Sequence, residues 1–222
     1  MEGTMSATPA AVPEASFELD AGRPCLDFAN TLASSGDQLN SYADLVAFAA
    51  QSRLLSPDDA AWLRAEAHRD RTQADAVLER AKRLRGSMVA IFSALAAGKA
   101  PSQREIDHLN VELSTSLAHA YVLPSKKRDE VSYEWGWEGR TLEAPLWPIS
   151  RSAAEVLTSE ADRARVRECG SSDCAWLFLD TSKNRTRQWC SMRSCGNREK
   201  ARRHYQRRRE REGQRDRREE RA

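Results

Sequence analysis

Long apolar runs are missing from these 222 residues. No stretch approaches the ~20 consecutive apolar residues that a membrane-spanning helix needs. Residues 1–16 contain no Lys or Arg and no apolar core, which argues against a secretory signal and for a soluble, cytoplasmic chain with a loose N-terminal tail. Only four histidines occur, none beside an evident partner. There is no Gly-rich phosphate loop, no His-Glu-x-x-His helix and no nucleophile elbow, so enzymatic activity ranks last among the functions to consider. No internal repeat is present. Cysteine is scarce outside one place: of five, only Cys25 stands apart, and it reads as a small buried hydrophobe rather than a redox switch.

What is there is unevenly distributed. The formal net charge is only +2. From Lys183 to the end, however, 16 Lys or Arg face 6 Asp or Glu, a local charge of +10 that leaves the preceding part at −8. An acidic body with a basic end suggests that only the end meets a polyanion.

The body, residues 17–158, reads as mostly helical. Residues 17–20 alternate like a short strand, Gly22-Arg-Pro24 makes a turn, and a short helix follows over 25–32. Ser41 caps a second helix. Ser56-Pro57-Asp58-Asp59 is a strong helix start, with a capping hydroxyl, proline in the first turn and acids at the positive dipole end. The longest helix is expected over 72–97, with Val77, Ala81, Leu84, Met88, Ile91 and Leu95 on one face and Gly98 ending it. Ser102 and Glu105 have capping-box spacing, and Ile106, Leu109, Leu113 and Leu117 form the next apolar face. Residues 121–123 and 131–137 flank a polar loop over 124–130, which predicts a β-hairpin. A last helix covers 146–157, and 158–162 reads as a polar hinge.

Four cysteines, Cys169, Cys174, Cys190 and Cys195, follow the pattern Cys-x4-Cys-x15-Cys-x4-Cys. Two close pairs some fifteen residues apart fit a structural zinc site, each pair supplying half of a tetrahedron. Two disulfides or four free thiols are the alternatives, and an intracellular setting disfavours the first. Four thiolates leave no open position for a catalytic water. Between the pairs, residues 175–179 read as a strand, 180–185 as a turn and 186–189 as a returning strand, giving the order knuckle, hairpin, knuckle, helix. The whole chain is thus expected to be α+β and mostly α: a tail over 1–16, a helical domain with a small hairpin over 17–158, a zinc module over 163–209 and a basic tail over 210–222.

After Cys195 comes a helix-forming, basic run. Asn197 is placed at its N-cap, and Lys200, Arg203, His204 and Arg207 share a face, while Ala201 and Tyr205 are expected to pack back on the hairpin. Arginine can hold guanine with two hydrogen bonds and asparagine can hold adenine, while further arginines hold phosphates. The candidate DNA contacts are Asn197, Arg198, Lys200, Arg202, Arg203, His204, Arg207 and Arg208. RNA is less favoured, because Tyr205 is the only aromatic ring beyond Cys195 apart from His204. A zinc-stapled protein-interaction adaptor without sequence-specific DNA binding is the competing reading.

The same residues resemble a known family. Cys195-Gly196-Asn197-Arg198 is the motif of the CGNR zinc finger, and Arg165-Val-Arg-Glu-Cys169, Trp176-Leu-Phe-Leu-Asp180 and Trp189-Cys-Ser-Met192 match its surroundings. In that family the finger follows an ABATE domain, a label associated with stress-induced transcription regulation. Cys25-Leu-Asp-Phe-Ala-Asn-Thr31 and Pro148-Ile-Ser-Arg-Ser-Ala-Ala-Glu-Val-Leu157 resemble the two ends of that domain. The resemblance spans residues 17 to about 209 and implies a bacterial transcription regulator that binds double-stranded DNA. It implies no ligand.

A helical body of this size attached to a DNA module raises the prospect of effector sensing. Asp27 and Asn30 are polar residues on an otherwise apolar helix, and Tyr133, Trp135 and Trp137 alternate on a strand with Arg140 close behind. Together they form a candidate pocket for a small anion or aromatic metabolite. The plainer alternative makes Asp27 and Asn30 local caps and the tryptophans core. A homodimer is left open.

Overall fold

The computed structural model describes residues 15–33, 36–125 and 132–219. Most of the expected N-terminal tail, the 124–130 loop from residue 126 onward and the last three residues of the basic tail lie outside these. Side chains beyond residue 210 also lie outside.

The chain is mainly helical, as its capping residues dictate. Helix α1 (Pro24–Ala29) follows the turn at Gly22. A minimal hairpin, β1 (Leu32–Ala33) with β2 (Gly36–Asp37), comes next and had no clear sequence signal. Helix α2 (Tyr42–Gln51) starts at a complete capping box between Ser41 and Asp44. Helix α3 (Pro57–Arg69) starts with Ser56 accepting from the Asp59 N–H. The central helix α4 (Arg71–Ala96) is capped by Asp70. It ends where Gly98 takes φ +70°, with Lys99 N–H donating to Ala94 O and Gly98 N–H to Leu95 O, the paired closure that a left-handed glycine permits. Helix α5 (Gln103–Ala118) is capped by Ser102. The expected hairpin forms as β3 (Ala120–Pro124) against β4 (Tyr133–Trp137), antiparallel, with Val122 opposite Trp135. Helix α6 (Leu146–Thr158) closes the body.

Val77, Ala81, Leu84, Met88 and Ile91 of α4 are buried in one core with Phe28 of α1, Phe48 of α2 and Ile149, Ala153 and Val156 of α6. Two expectations need correction. Residues 17–20 form no strand, since among the described residues no strand pairs with them; Phe17 instead packs edge-on against Phe48 at 5.5 Å, and its N–H donates to Gln51. The apolar stripe on α5 is also only partly used. Leu109 is buried but Leu117 is 51% exposed, and the helix is fixed by Ser116, whose hydroxyl donates to Trp147 O at 2.9 Å. Polar ties complete the body. Arg85, buried on α4, grips both oxygens of Asp37 at 2.6 and 2.7 Å and also reaches Thr31. Arg80 bridges Glu112 and Glu143.

The expected hinge at 158–162 is a short helix, α7 (Glu160–Arg163), capped by Ser159 and held to the body by an Arg23–Asp162 ion pair of 2.7 Å. Strand β5 (Val166–Glu168) then pairs antiparallel with β6 (Leu177–Leu179). This also differs from expectation: β6 turns back on the residues before Cys169 and not on 186–189, so the first cysteine pair sits in the hairpin's loop. Residues 186–189 run without a ladder, meeting the hairpin through Gly170 N–H to Gln188 O and through Arg187, which lies over the Phe178 ring of β6. Val166, Leu177, Phe178 and Leu179 are buried in the same core as the helices.

Candidate metal centre and basic helix

The buried side chain of Asp180 organises the turn between the cysteine pairs. It accepts hydrogen bonds from the Ser182 N–H (2.9 Å), the Ser182 hydroxyl (2.6 Å) and the Arg187 N–H (3.1 Å). Arg187 in turn lies over the Phe178 ring at 4.6 Å and donates to the carbonyls of Trp189 and Cys190. The chain is thereby delivered to Cys190 in position beside Cys169, whose sulfur accepts from the Cys190 N–H at 3.5 Å.

A one-turn π-helix, Met192–Gly196, carries Cys195 to the same point. A Cβ at Gly196 would meet the sulfur of the exposed Met192 side chain at 2.8 Å, a contact that this flexible side chain can yield. The four thiol sulfurs lie within 4.8 Å of one another. Cys190 is 3.7 Å from both Cys174 and Cys195, sulfur to sulfur. A disulfide needs about 2.05 Å. A tetrahedral zinc with Zn–S bonds of about 2.3 Å has sulfurs about 3.8 Å apart.

The electrostatics agree with that geometry. Burial, together with the neighbouring Cys169 thiolate, pushes Cys174 up to about 11. Cys190 is pushed up by burial and by the charges on Cys169 and Cys174. Burial also opposes ionisation of Cys169, but backbone N–H groups of Cys190 and Ser171 hold that thiol below its usual value. Four thiolates share so small a volume only around a cation. The cysteines are positioned to bind one zinc ion, and with four protein ligands the site is structural.

Helix α8 (Asn197–Glu219) leaves directly from this centre. Because the π-turn runs straight into it, Asn197 has helical φ and ψ and is the first residue of α8, not its N-cap; its side-chain amide donates to Arg193 O at 3.2 Å. Ala201 and Tyr205 do not pack back, and Tyr205 is 64% exposed. The base of the helix is tied to the first knuckle instead. Glu199 accepts from Ser171 at 3.0 Å, and Arg202 pairs with Asp173 at 2.6 Å and Glu199 at 3.3 Å. Arg203 lies 5.5 Å from the Trp189 ring centre, and His204 meets Tyr205 edge-on at 6.0 Å. Asn197, Arg198, Lys200, Arg203, His204, Arg207 and Arg208 are all exposed, whereas Arg202 is half-buried.

The residues grouped as a candidate pocket separate into two places. Asp27 accepts from the Ala21 N–H at 2.9 Å, and burial pushes its carboxyl up to about 6. The Asn30 side chain donates to Leu177 O and accepts from Leu177 N–H, both at 2.8 Å. Both residues hold backbone, and neither reaches the tryptophans. Trp135, Trp137 and Arg140 do come together, in a cleft of about 860 Å³ between α3 and the β3–β4 hairpin, joined by Trp62 and Trp147. Tyr133 is 66% exposed and outside that lining. Sequence reasoning missed Glu199 because its partner Ser171 lies 28 positions away, and Arg187 because its partners, though near in sequence, are the Phe178 ring and backbone carbonyls that residue type does not announce; Asp180-x-Ser182 does carry the pattern of an Asx-type turn.

Residues 22–160 match the ABATE family, described as "Putative stress-induced transcription regulator", and residues 165–208 match the CGNR zinc finger. No curated protein matches this sequence.

Proposed function

Because the chain belongs to the ABATE family and carries a CGNR zinc finger, we propose that it is a DNA-binding transcriptional regulator whose zinc centre aims α8 at duplex DNA. The observation that carries this reading is the placement of an exposed basic helix directly on the metal centre. Cys195 is followed by exposed Arg198, Lys200, Arg203 and Arg207, so the first turns of α8 inherit the rigidity of the ligated cysteine. A groove reader needs that fixed origin, with base-reading groups nearest the anchor and phosphate contacts farther out. Asn197 and Arg198 fill the first role. Arg203, Arg207 and Arg208 fill the second. Arg202 serves a different end, bracing the helix against Asp173.

No enzymatic role is proposed. The metal has four protein ligands, and its chemistry is to hold the knuckles and the helix together. The ABATE body supplies the sensing half of the regulator, and the tryptophan cleft is its effector site. The test is enrichment of bound duplexes from a random pool by the zinc-loaded full chain. A recurring sequence is expected, and it should disappear with Cys174→Ser. Zinc-independent binding without any enriched sequence would favour the adaptor reading.

A further inference from the structure

The cleft between α3 and the β3–β4 hairpin has the size of a small-molecule pocket, about 860 Å³ within the ~300–1,000 Å³ usual for such sites. Its walls are unusually aromatic. Trp62, Trp135, Trp137, Trp147 and Tyr121 all line it. Trp147 forms the buried floor, stacked on His119 at 4.2 Å. The rim is acidic: Asp59, Glu134 and Glu138 stand against a single guanidinium, Arg140.

Arg140 shows what these walls accept. It sits 5.9 Å from the Trp62 ring centre and 3.6 Å from Asp59, at 60% exposure. It is therefore a loosely held internal cation resting on an indole beside a carboxylate. Trp135 holds Arg151 in the same way at 4.2 Å, but Arg151 lines the neighbouring groove with Arg23 and Arg53. That groove also holds Glu134, which it shares with the cleft, and Glu155; the cleft's own lining carries three carboxylates to one guanidinium. Indole faces attract cations through their ring quadrupole, most strongly when partly desolvated.

Resting on the reading of this cleft as the effector site, we infer that it takes a lipophilic organic cation: an apolar or aromatic body bearing a permanent positive charge. Arg140 then acts as a resident competitor that the ligand displaces from Trp62 and Asp59. A site built for an anion would instead use Arg140 as its anchor, so the two alternatives demand opposite effects of removing it.

The probes are tetraphenylphosphonium and tetraphenylborate, which share shape and apolar area but carry opposite charge. Binding to the zinc-loaded full chain is followed by tryptophan fluorescence and calorimetry. Tetraphenylphosphonium is expected to bind saturably at one site, about tenfold tighter than tetraphenylborate, with Arg140→Ala tightening it several-fold and Glu138→Gln weakening it; one modest charge or cation–π contact is worth a change of this order. Tightening by Arg140→Ala is a result that damage to the fold does not produce. Weaker tetraphenylphosphonium binding by Arg140→Ala, or preference for tetraphenylborate, would overturn the cation assignment while leaving the cleft as a ligand site. Failure of both probes to bind in a manner sensitive to Trp62→Leu would overturn the assignment and the effector reading together.

Discussion

Asn30→Ala tests whether the zinc module is part of the body or an appendage. In the folded chain the Asn30 amide makes a closed pair of hydrogen bonds with the backbone of Leu177, both 2.8 Å and both buried. Alanine removes two hydrogen bonds and strands a buried N–H and a buried C=O on β6. Each orphaned group costs about 1–3 kcal/mol, so the loss should be about 2–6 kcal/mol, a large share of the ~5–15 kcal/mol that holds a typical domain folded. The apolar core is continuous through this contact, from Phe28 to Phe178, and Leu179 N–H also donates to Ala21 O at 2.8 Å. Helix loss and zinc release should therefore shift to lower denaturant together. The assay is urea unfolding of the zinc-loaded protein, followed by far-ultraviolet circular dichroism and by a zinc-sensitive dye. An unchanged dichroism midpoint with earlier zinc release would refute the reasoning and make the module an independent unit.

Three further outcomes follow from the same geometry. Elemental analysis should give about one zinc per chain, and Cys190→Ser should lose it and reduce stability of the body as well as the module, because Cys190 is buried in the shared core. Asp27→Asn should stabilise the fold at pH 8 by up to about 3 kcal/mol and change little at pH 4. The sign follows because a carboxyl raised to about 6 in the fold penalises the native state once ionised, so wild-type stability falls as pH rises from about 4 to about 6; thermal unfolding across that range checks it. Asp37→Ala should destabilise by about 3–5 kcal/mol in denaturant unfolding, since it leaves Arg85 charged and buried without its carboxylate.

Local chemistry was readable and long-range pairing was not. Ser41, Ser56 and Ser102 announce their helices because a cap is a contact within three residues. The α4 stripe and Gly98 are equally local. The four-cysteine spacing located the metal centre, since its ligands announce themselves by residue type alone. Strand partners could not be read in this way. Residues 175–179 are β-friendly, but only the fold decides that β5 supplies the ladder and that 186–189 does not. Asn30 looked like a pocket residue because its partner, Leu177, lies 147 positions away. Tyr205 looked like a packing residue because helical spacing says which residues share a face but not whether anything lies opposite it.

The measurement that bears most directly on the proposed function is a salt titration of duplex binding. It compares wild type, Arg203→Ala and Arg207→Ala on an enriched duplex and on a random one. Wild-type affinity should fall steeply with salt, as release of counterions from several phosphates requires. Each substitution should lower the logarithmic slope by about one unit per lost phosphate contact, equally on both duplexes. Salt-insensitive affinities, identical for all three proteins on both duplexes, would contradict the claim that α8 binds DNA.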